Sequence, residues 1–177
     1  VGNQVNNLQV GDRAFGRLPL DHIGAFAEYV AVDSQALAKV PDYLSDEEAA
    51  AVPLTALTIM QALELMGAQA GKTIFISGGT GGVAVIATKI LIKLGYSVVV
   101  STGKLEEQKE VLLNLGVKDV IHRSEVDDNS GRPLLRPRWA GVIDTVGGNT
   151  LATAIKTTNY CGAVTTCGNA GGVDFTS

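Results

Sequence analysis

The chain has 177 residues, 46% of them hydrophobic, which is enough for one domain and part of a second with a real apolar core. Its 14 basic and 18 acidic residues leave a net charge of -4, a balance that gives no basic stripe for nucleic acid and allows only a local anion site. No apolar run reaches membrane-spanning length, since Lys89, Lys93, Gly95 and Tyr96 interrupt the longest one, and Cys161 and Cys167 are too few for a disulfide framework.

In chain order, residues 1–40 read as extended segments. Gly11 to Gly16 is a turn into a short strand, and Gly24 to Val32 is a longer strand with turn formers on both sides. These strands cannot close a barrel by themselves, and a first residue that is Val1 makes the chain read as one that begins mid-protein. Ser45-Asp46-Glu47-Glu48 announces a helix: Ser45 can cap and Glu48 can return the bond. Pro53 interrupts the apolar run after it, so a short helix (Asp46 to Val52) and a longer one (Leu54 to Met66) are expected, the second ending at Gly67.

Strand and helix patterns then alternate. The expected strands are Thr73 to Ser77, Ser97 to Ser101, Lys118 to His122, Trp139 to Asp144 and Gly162 to Cys167. The helices between them run Gly82 to Leu94, Leu105 to Leu115 and Gly148 to Thr158, with a polar loop from Ser124 to Arg138. Such alternation gives an α/β fold, a Rossmann-type doubly wound parallel sheet of order 3-2-1-4-5. Both cysteines are expected as small buried residues of a core strand, held roughly 20 Å apart by a rise of about 3.3 Å per residue and so beyond disulfide reach. A reducing, cytoplasmic setting is the default expectation, and no signal peptide is visible.

The turn after the first of these five strands is Gly79-Thr80-Gly81-Gly82-Val83-Ala84, which fits G-x-G-x-x-G/A. Gly79 allows the tight turn, Gly81 lets backbone approach a pyrophosphate, and Ala84 is small enough for the helix to pack on the strand. Free amides in the first helical turn then face the anion. The next strand says which dinucleotide. An NAD-preferring site usually carries an acid about 20 residues past the first glycine. Here that place holds Val100-Ser101-Thr102-Gly103-Lys104, with no acid before Glu106. A hydroxyl, an unencumbered amide and a cation suit a ribose 2′-phosphate, so the expected cofactor is NADPH. The competing reading makes Lys104 the start of a solvated helix face shared with Glu106, Glu107, Lys109 and Glu110.

Rival motifs fail on spacing. Gly71-Lys72-Thr73 precedes its strand, and the first glycine of a phosphate loop would fall on Met66. None of Tyr29, Tyr43, Tyr96 or Tyr160 has Lys four places on, and no G-x-S-x-G elbow exists.

Taken together, Gly11-Asp12-Arg13, Gly24-Ala25-Phe26-Ala27-Glu28-Tyr29, the run from Glu47 to Thr58, the glycine turn and Asp144-Thr145-Val146-Gly147-Gly148 resemble the medium-chain dehydrogenase/reductase superfamily, within it the zinc-free quinone and enoyl reductases. Leu94-Gly95-Tyr96, Thr102-Gly103-Lys104, Trp139 to Gly147 and Cys167 to Gly172 resemble the acrylyl-CoA reductase branch, while the first half is closer to general quinone oxidoreductases. The resemblance implies part of a GroES-like β-domain over residues 1–40, linking helices over 41–66 and a Rossmann domain over 67–177. It implies that Thr80, Gly81, Gly82 and Val83 hold the pyrophosphate and that Thr102, Gly103 and Lys104 hold the 2′-phosphate. Arg123 would add charge near the adenosine phosphate, Gly168 and Asn169 would reach the nicotinamide half, and Thr58 would line the nicotinamide side. The plain alternatives are core packing for Thr58 and a surface cation for Arg123. Ala84, where the family usually has Gly, implies slightly looser helix packing.

In the zinc-dependent members of the family it resembles, a cysteine or acid near the start of the linking helix completes a site that needs three protein ligands; from Ala49 to Ala62 there is no Cys, His, Asp or Glu, so the resemblance implies a metal-free enzyme. His22 and His122 are isolated and read as surface or turn histidines. The resulting expectation is an NADPH-dependent reductase passing hydride to a quinone or a small enoyl-CoA in a dry cleft between domains, with no catalytic side chain assigned. A non-catalytic NADPH-binding protein and an inactive fragment are the alternatives. When full length, the protein is expected to be a homodimer joined along the edge of the nucleotide-domain sheet.

Overall fold

A computed structural model describes residues 1–19, 21, 24–67 and 71–176. The chain divides into two compact units, Val1–Leu57 and Thr58–Ser177. His22 lies outside the described residues.

In the first unit, β1 (Ala14–Gly16) pairs antiparallel with β2 (Leu37–Lys39), with Phe15 opposite Ala38. A 3-10 turn leads into β2, capped by Asp33, whose carboxylate accepts the Gln35 amide at 2.9 Å. The expected capping box starts α1 (Asp46–Ala51): Ser45 Oγ accepts the Glu48 amide at 3.2 Å, and the Glu48 carboxylate accepts the Ser45 amide at 2.9 Å. Arg13 joins the hairpin to this helix, donating to Asp46 Oδ1 through Nε at 2.9 Å and Nη2 at 2.6 Å and to the Leu44 carbonyl at 2.8 Å. The segment from Gly24 to Val32, expected as a strand, has no strand structure. Among the described residues it has no partner strand, and an extended run needs a neighbouring ladder to count as a strand. Phe26 and Tyr29 are accordingly exposed.

Pro53 opens α2 (Pro53–Met66) at the first helical position, where its missing N–H costs nothing. The second unit contains β3 (Thr73–Ile76), α3 (Gly82–Lys93), β4 (Ser97–Thr102), α4 (Leu105–Asn114), β5 (Asp119–His122), β6 (Trp139–Asp144), α5 (Gly148–Thr157) and β7 (Thr158–Thr166). The five strands from β3 to β7 pair in parallel in the order β5-β4-β3-β6-β7, which is the order expected from the alternation. The near-continuously buried runs of β3, β4 and β6 reflect burial on both faces. On one face Ile74, Ile76, Val98 and Val100 pack on Ala84, Ala87 and Leu91 of α3, with Ile59, Ala62 and Met66 of α2 in the same core. On the other, Phe75, Val99 and Val142 meet Val126, Trp139 and Ala154 of α5. The Phe75 and Trp139 rings stack with centroids 5.0 Å apart.

Between β5 and β6 the chain makes a 3-10 turn (Arg123–Val126) and then the expected polar loop. Side chains of α5 hold that loop down. Thr153 Oγ1 accepts the Asp128 amide at 2.8 Å, Asn149 donates to Asp127 Oδ1 at 2.6 Å, and Lys156 pairs with Asp128 at 3.6 Å.

The last strand starts earlier than expected and is bulged. Trp139 pairs with Thr158, but Gly141 pairs with Ala163, so residues 159–162 loop out, with Cys161 at φ 61°. Both cysteines are therefore exposed and free, not buried in a core strand. Cys161 is turned out by the bulge, and Cys167 lies just past the strand's end. Among the described residues no helix is long and apolar enough to cross a membrane.

Leu91 is fully buried under the sheet while Leu94, one turn on, is 49% exposed. Leu91→Ala should cost about 2–5 kcal/mol in urea unfolding, and Leu94→Ala under about 0.5 kcal/mol.

Candidate functional site

The chain leaves β3 at Ser77 and turns sharply at Gly78, whose φ of 67° suits glycine. A Cβ there would meet Thr145 Oγ1 at 2.8 Å, and one at Gly79 would meet Val100 Cβ at 2.8 Å. Gly79 thus lies flat on β4, donating to the Ser101 carbonyl at 2.8 Å, and Gly81 donates back to Gly78 at 2.8 Å to close the turn. Gly81 is the N-cap of α3 and no side chain caps the helix. The first helical bond is Val85 to the Gly81 carbonyl, so the amides of Gly82 and Val83 precede the ladder. Thr80, Gly81 and Gly82 are exposed, Val83 is half-buried, and a Cβ at Gly82 would meet nothing within 4 Å. The result is an open surface of backbone donors at the positive end of a 12-residue helix. Ala84 is fully buried in the core beside β3, so the extra methyl is accommodated there.

A network that sequence reasoning missed fixes this turn. Asp144, at the end of β6, is 0% exposed. Its Oδ1 accepts Ser77 Oγ at 2.7 Å and the Val146 amide at 3.2 Å, and its Oδ2 accepts the Gly147 amide at 2.9 Å and Thr166 Oγ1 at 3.3 Å. Ser77 Oγ in turn accepts the Thr145 amide at 2.8 Å, and Thr145 Oγ1 donates to the Ser77 carbonyl at 2.8 Å. The available signal was a polar residue closing each of two apolar strand runs, Ser77 and Asp144. Their pairing over 67 positions has no local trace.

The segment after β7 packs on the same turn. Cys167 donates its amide to the Asp144 carbonyl at 2.8 Å, and Gly171 donates to Val146 at 2.7 Å. At Gly168 a Cβ would fall 2.5 Å from the Thr145 carbonyl oxygen, so only glycine fits. Asn169 comes next, exposed, with its Cα 3.1 Å from where a Gly147 Cβ would be. Although Cys167 as a residue is exposed, its thiol is turned back to the Asp144 carbonyl at 3.5 Å, and this partial burial, with the Asp144 carboxylate second, pushes it above its ordinary range.

At the tip of β4 the hydroxyl of Thr102 is turned inward. It bonds Gln108 of α4 and accepts the Lys104 amide at 3.1 Å. What the tip exposes is Gly103 and the Lys104 ammonium, with Arg123 from the end of β5 lying against Gly103: a Cβ there would touch the guanidinium stem at 3.2 Å. Lys104 pairs loosely with Glu107 at 3.5 Å, both side chains about two-thirds exposed (67% and 71%). Gly103, Lys104, Glu106, Glu107 and His122 line an open hollow of about 410 Å³.

Contacts from Gly78 to Thr145 to Gly168, and from Gly79 to β4, join the glycine turn, the β4 tip and the post-β7 segment along one end of the sheet. Thr58 sits half-buried on α2 beside the core residue Ile59. Among the described residues no three of His, Cys, Asp or Glu gather in a metal-ligand arrangement.

No family model matches the chain. It is similar to YhfP of Bacillus subtilis, provisionally named a quinone oxidoreductase: 37% identical over 153 residues, 84% of this chain and 46% of the relative. The structure of that protein with NAD bound superposes with a TM-score of 0.73 over 84% of this chain. The acrylyl-CoA reductase AcuI of Ruegeria pomeroyi is 35% identical over 155 residues, 85% of this chain and 47% of the relative. The yhdH oxidoreductase of Salmonella enterica, solved in complex with NADP, gives a TM-score of 0.75 at 34% identity over 87% of this chain and 48% of that one. The chain thus spans about half the length of each.

Removing the Asp144 carboxylate takes the acceptor from Ser77 Oγ, Thr166 Oγ1 and the amides of Val146 and Gly147. Asp144→Ala should therefore lower unfolding free energy by about 3 kcal/mol or more, and Ser77→Ala by about 1–2 kcal/mol, read from denaturant midpoints.

Proposed function

We propose that the chain, as a member of the medium-chain dehydrogenase/reductase superfamily, is the nucleotide-binding part of an NADPH-dependent reductase acting on a quinone or on an α,β-unsaturated carbonyl such as a small enoyl-CoA. The observation that carries this reading is the uncapped first turn of α3, set beside the cationic tip of β4. A dinucleotide fits that arrangement, because a diphosphate needs bare backbone donors and a surface free of Cβ atoms, which Gly81 and Gly82 provide. On this reading Thr80, Gly81, Gly82 and Val83 hold the diphosphate, with Gly79 keeping the turn flat on β4.

Relatives have been solved with NAD and with NADP, so the choice has to come from this chain's own β4 tip. No acid stands at the end of β4 to take a ribose 2′-hydroxyl, and Gly103, Lys104 and Arg123 present an open backbone and two cations. Thr102 acts here by shaping the turn, since its hydroxyl is already engaged. An exposed i,i+3 pair such as Lys104 with Glu107 is worth roughly 0.3–0.5 kcal/mol, so a 2′-phosphate dianion displaces Glu107 from the lysine.

When bound, the cofactor supplies hydride from its nicotinamide ring. On this reading Gly168 and Asn169 would meet the nicotinamide half and Thr58 would line its side, positioning the ring. The division into β-domain strands over residues 1–40, linking helices over 41–66 and a dinucleotide domain over 67–177 belongs to the same proposal. A quinone or enoyl-CoA acceptor is what the named relatives suggest.

Two measurements test this. Titrated by nicotinamide fluorescence, the chain should bind NADPH more tightly than NADH. Lys104→Ala should lose about 1.5 to 3 kcal/mol with NADPH alone, and Glu107→Gln should bind NADPH slightly more tightly. Equal affinities for both cofactors, unchanged by Lys104→Ala, would overturn the 2′-phosphate assignment. In the second, NADPH oxidation is followed with a panel of quinones and acrylyl-CoA. Turnover with one class names the acceptor; tight NADPH binding without turnover leaves the two alternatives, a non-catalytic binding protein or an inactive fragment, and concentration-dependent association with low thermal stability points to the fragment.

A further inference from the structure

His122 ends β5, and its backbone is paired in register with Thr102 at the end of β4. That pairing places it at the cationic tip, where it lines the hollow with Gly103, Lys104, Leu105, Glu106 and Glu107. The ring is held in one orientation by the adjoining 3-10 turn: Nδ1 accepts the Ser124 amide at 3.3 Å and lies 2.7 Å from Ser124 Oγ. A backbone N–H can approach that nitrogen only when it carries no proton, so the proton of the neutral ring is on Nε2. Glu125, the nearest acid on the same segment, is turned back to accept the His122 amide at 3.1 Å. The charged groups around the ring are then Lys104, Glu106 and Glu107 from the start of α4, with Arg123 and Glu125 from its own segment.

We infer that His122 is a specificity-determining residue of this site, its Nε2–H donating to a ribose 2′-phosphate while Lys104 and Arg123 supply the charge. The inference rests on the NADPH reading above. The two cations are long, mobile side chains that attract a dianion from many directions. An imidazole fixed by its own cap offers a donor along one direction, and a bond from it to a phosphate oxygen is charge-assisted in a way that a bond to a 2′-hydroxyl is not. The cap and the donor are thus opposite ends of one ring: the first sets the tautomer that the second requires.

The two ends can be separated by substitution. In His122→Asn the side-chain oxygen stands where Nδ1 stands and keeps the Ser124 bond, but nothing reaches the Nε2 position. In His122→Gln the amide nitrogen can stand where Nε2 stands. Dissociation constants for NADPH and NADH are measured for the chain and both variants, with 2′,5′-ADP against 5′-AMP as competitors. The expected result is an about tenfold weaker affinity of His122→Asn for NADPH and 2′,5′-ADP, unchanged affinity for NADH and 5′-AMP, and recovery of most of the loss in His122→Gln. Equal losses for both cofactors would make His122 only a turn cap and overturn the inference. So would an unchanged NADPH preference in His122→Asn. If Lys104→Ala abolishes the preference while His122→Asn does not, the inference fails and the NADPH reading stands; if the parent chain has no preference, both fail.

Discussion

A carboxylate carried into the interior at Asp144 needs a donor for each of its lone pairs, and meeting that demand draws the ends of β3, β6 and β7 to one point. An unpaired charge at that depth would cost several kcal/mol, so the two hydroxyls and two amides around it are constrained in position. Thr145 is the pivot of the arrangement. Its amide and hydroxyl both go to Ser77, and its carbonyl is the surface on which Gly168 lies. The glycine turn and the post-β7 segment are therefore fixed relative to each other by buried polar geometry and not by loop chemistry alone.

The anion-facing character of this end of the sheet coexists with a chain whose net charge is -4. At ordinary ionic strength fields from distant surface acids are screened within about 8–10 Å, so the few groups at the site decide its sign. The exposed groups are neutral backbone dipoles at α3 and the cations Lys104 and Arg123 at the β4 and β5 tips, while the Asp144 carboxylate is buried among its donors. The division suits a ligand with its charge in two places.

Much of the second unit was legible in the sequence because its signals are local. Thr73 to Lys104 carries strand, turn, helix and strand within a few dozen positions, and each boundary has its own chemistry. What escaped was decided by distant partners. Thr102 is polar where a phosphate ligand was expected, yet its hydroxyl is taken by Gln108, which the sequence pattern alone could not pair with it. Gly24 to Val32 has a strand's composition, but pairing needs a neighbour. The cysteines have the size and polarity of core residues, and a bulge and a strand end put them outside. His122 read as an ordinary turn histidine, and it is one; its side chain's position at the β4 tip comes from strand register, which a single sequence does not print.

The uncapped start of α3 has an energetic side as well. A serine or aspartate at Gly81 would satisfy one of the idle donors and strengthen the helix by a few tenths of a kcal/mol, at the expense of the bare surface there. With glycine instead, that part of the folding free energy is left to be supplied by mass action from whatever occupies the turn. Conformational stability and occupancy become linked quantities, and the melting temperature of this chain becomes a reporter of ligand concentration.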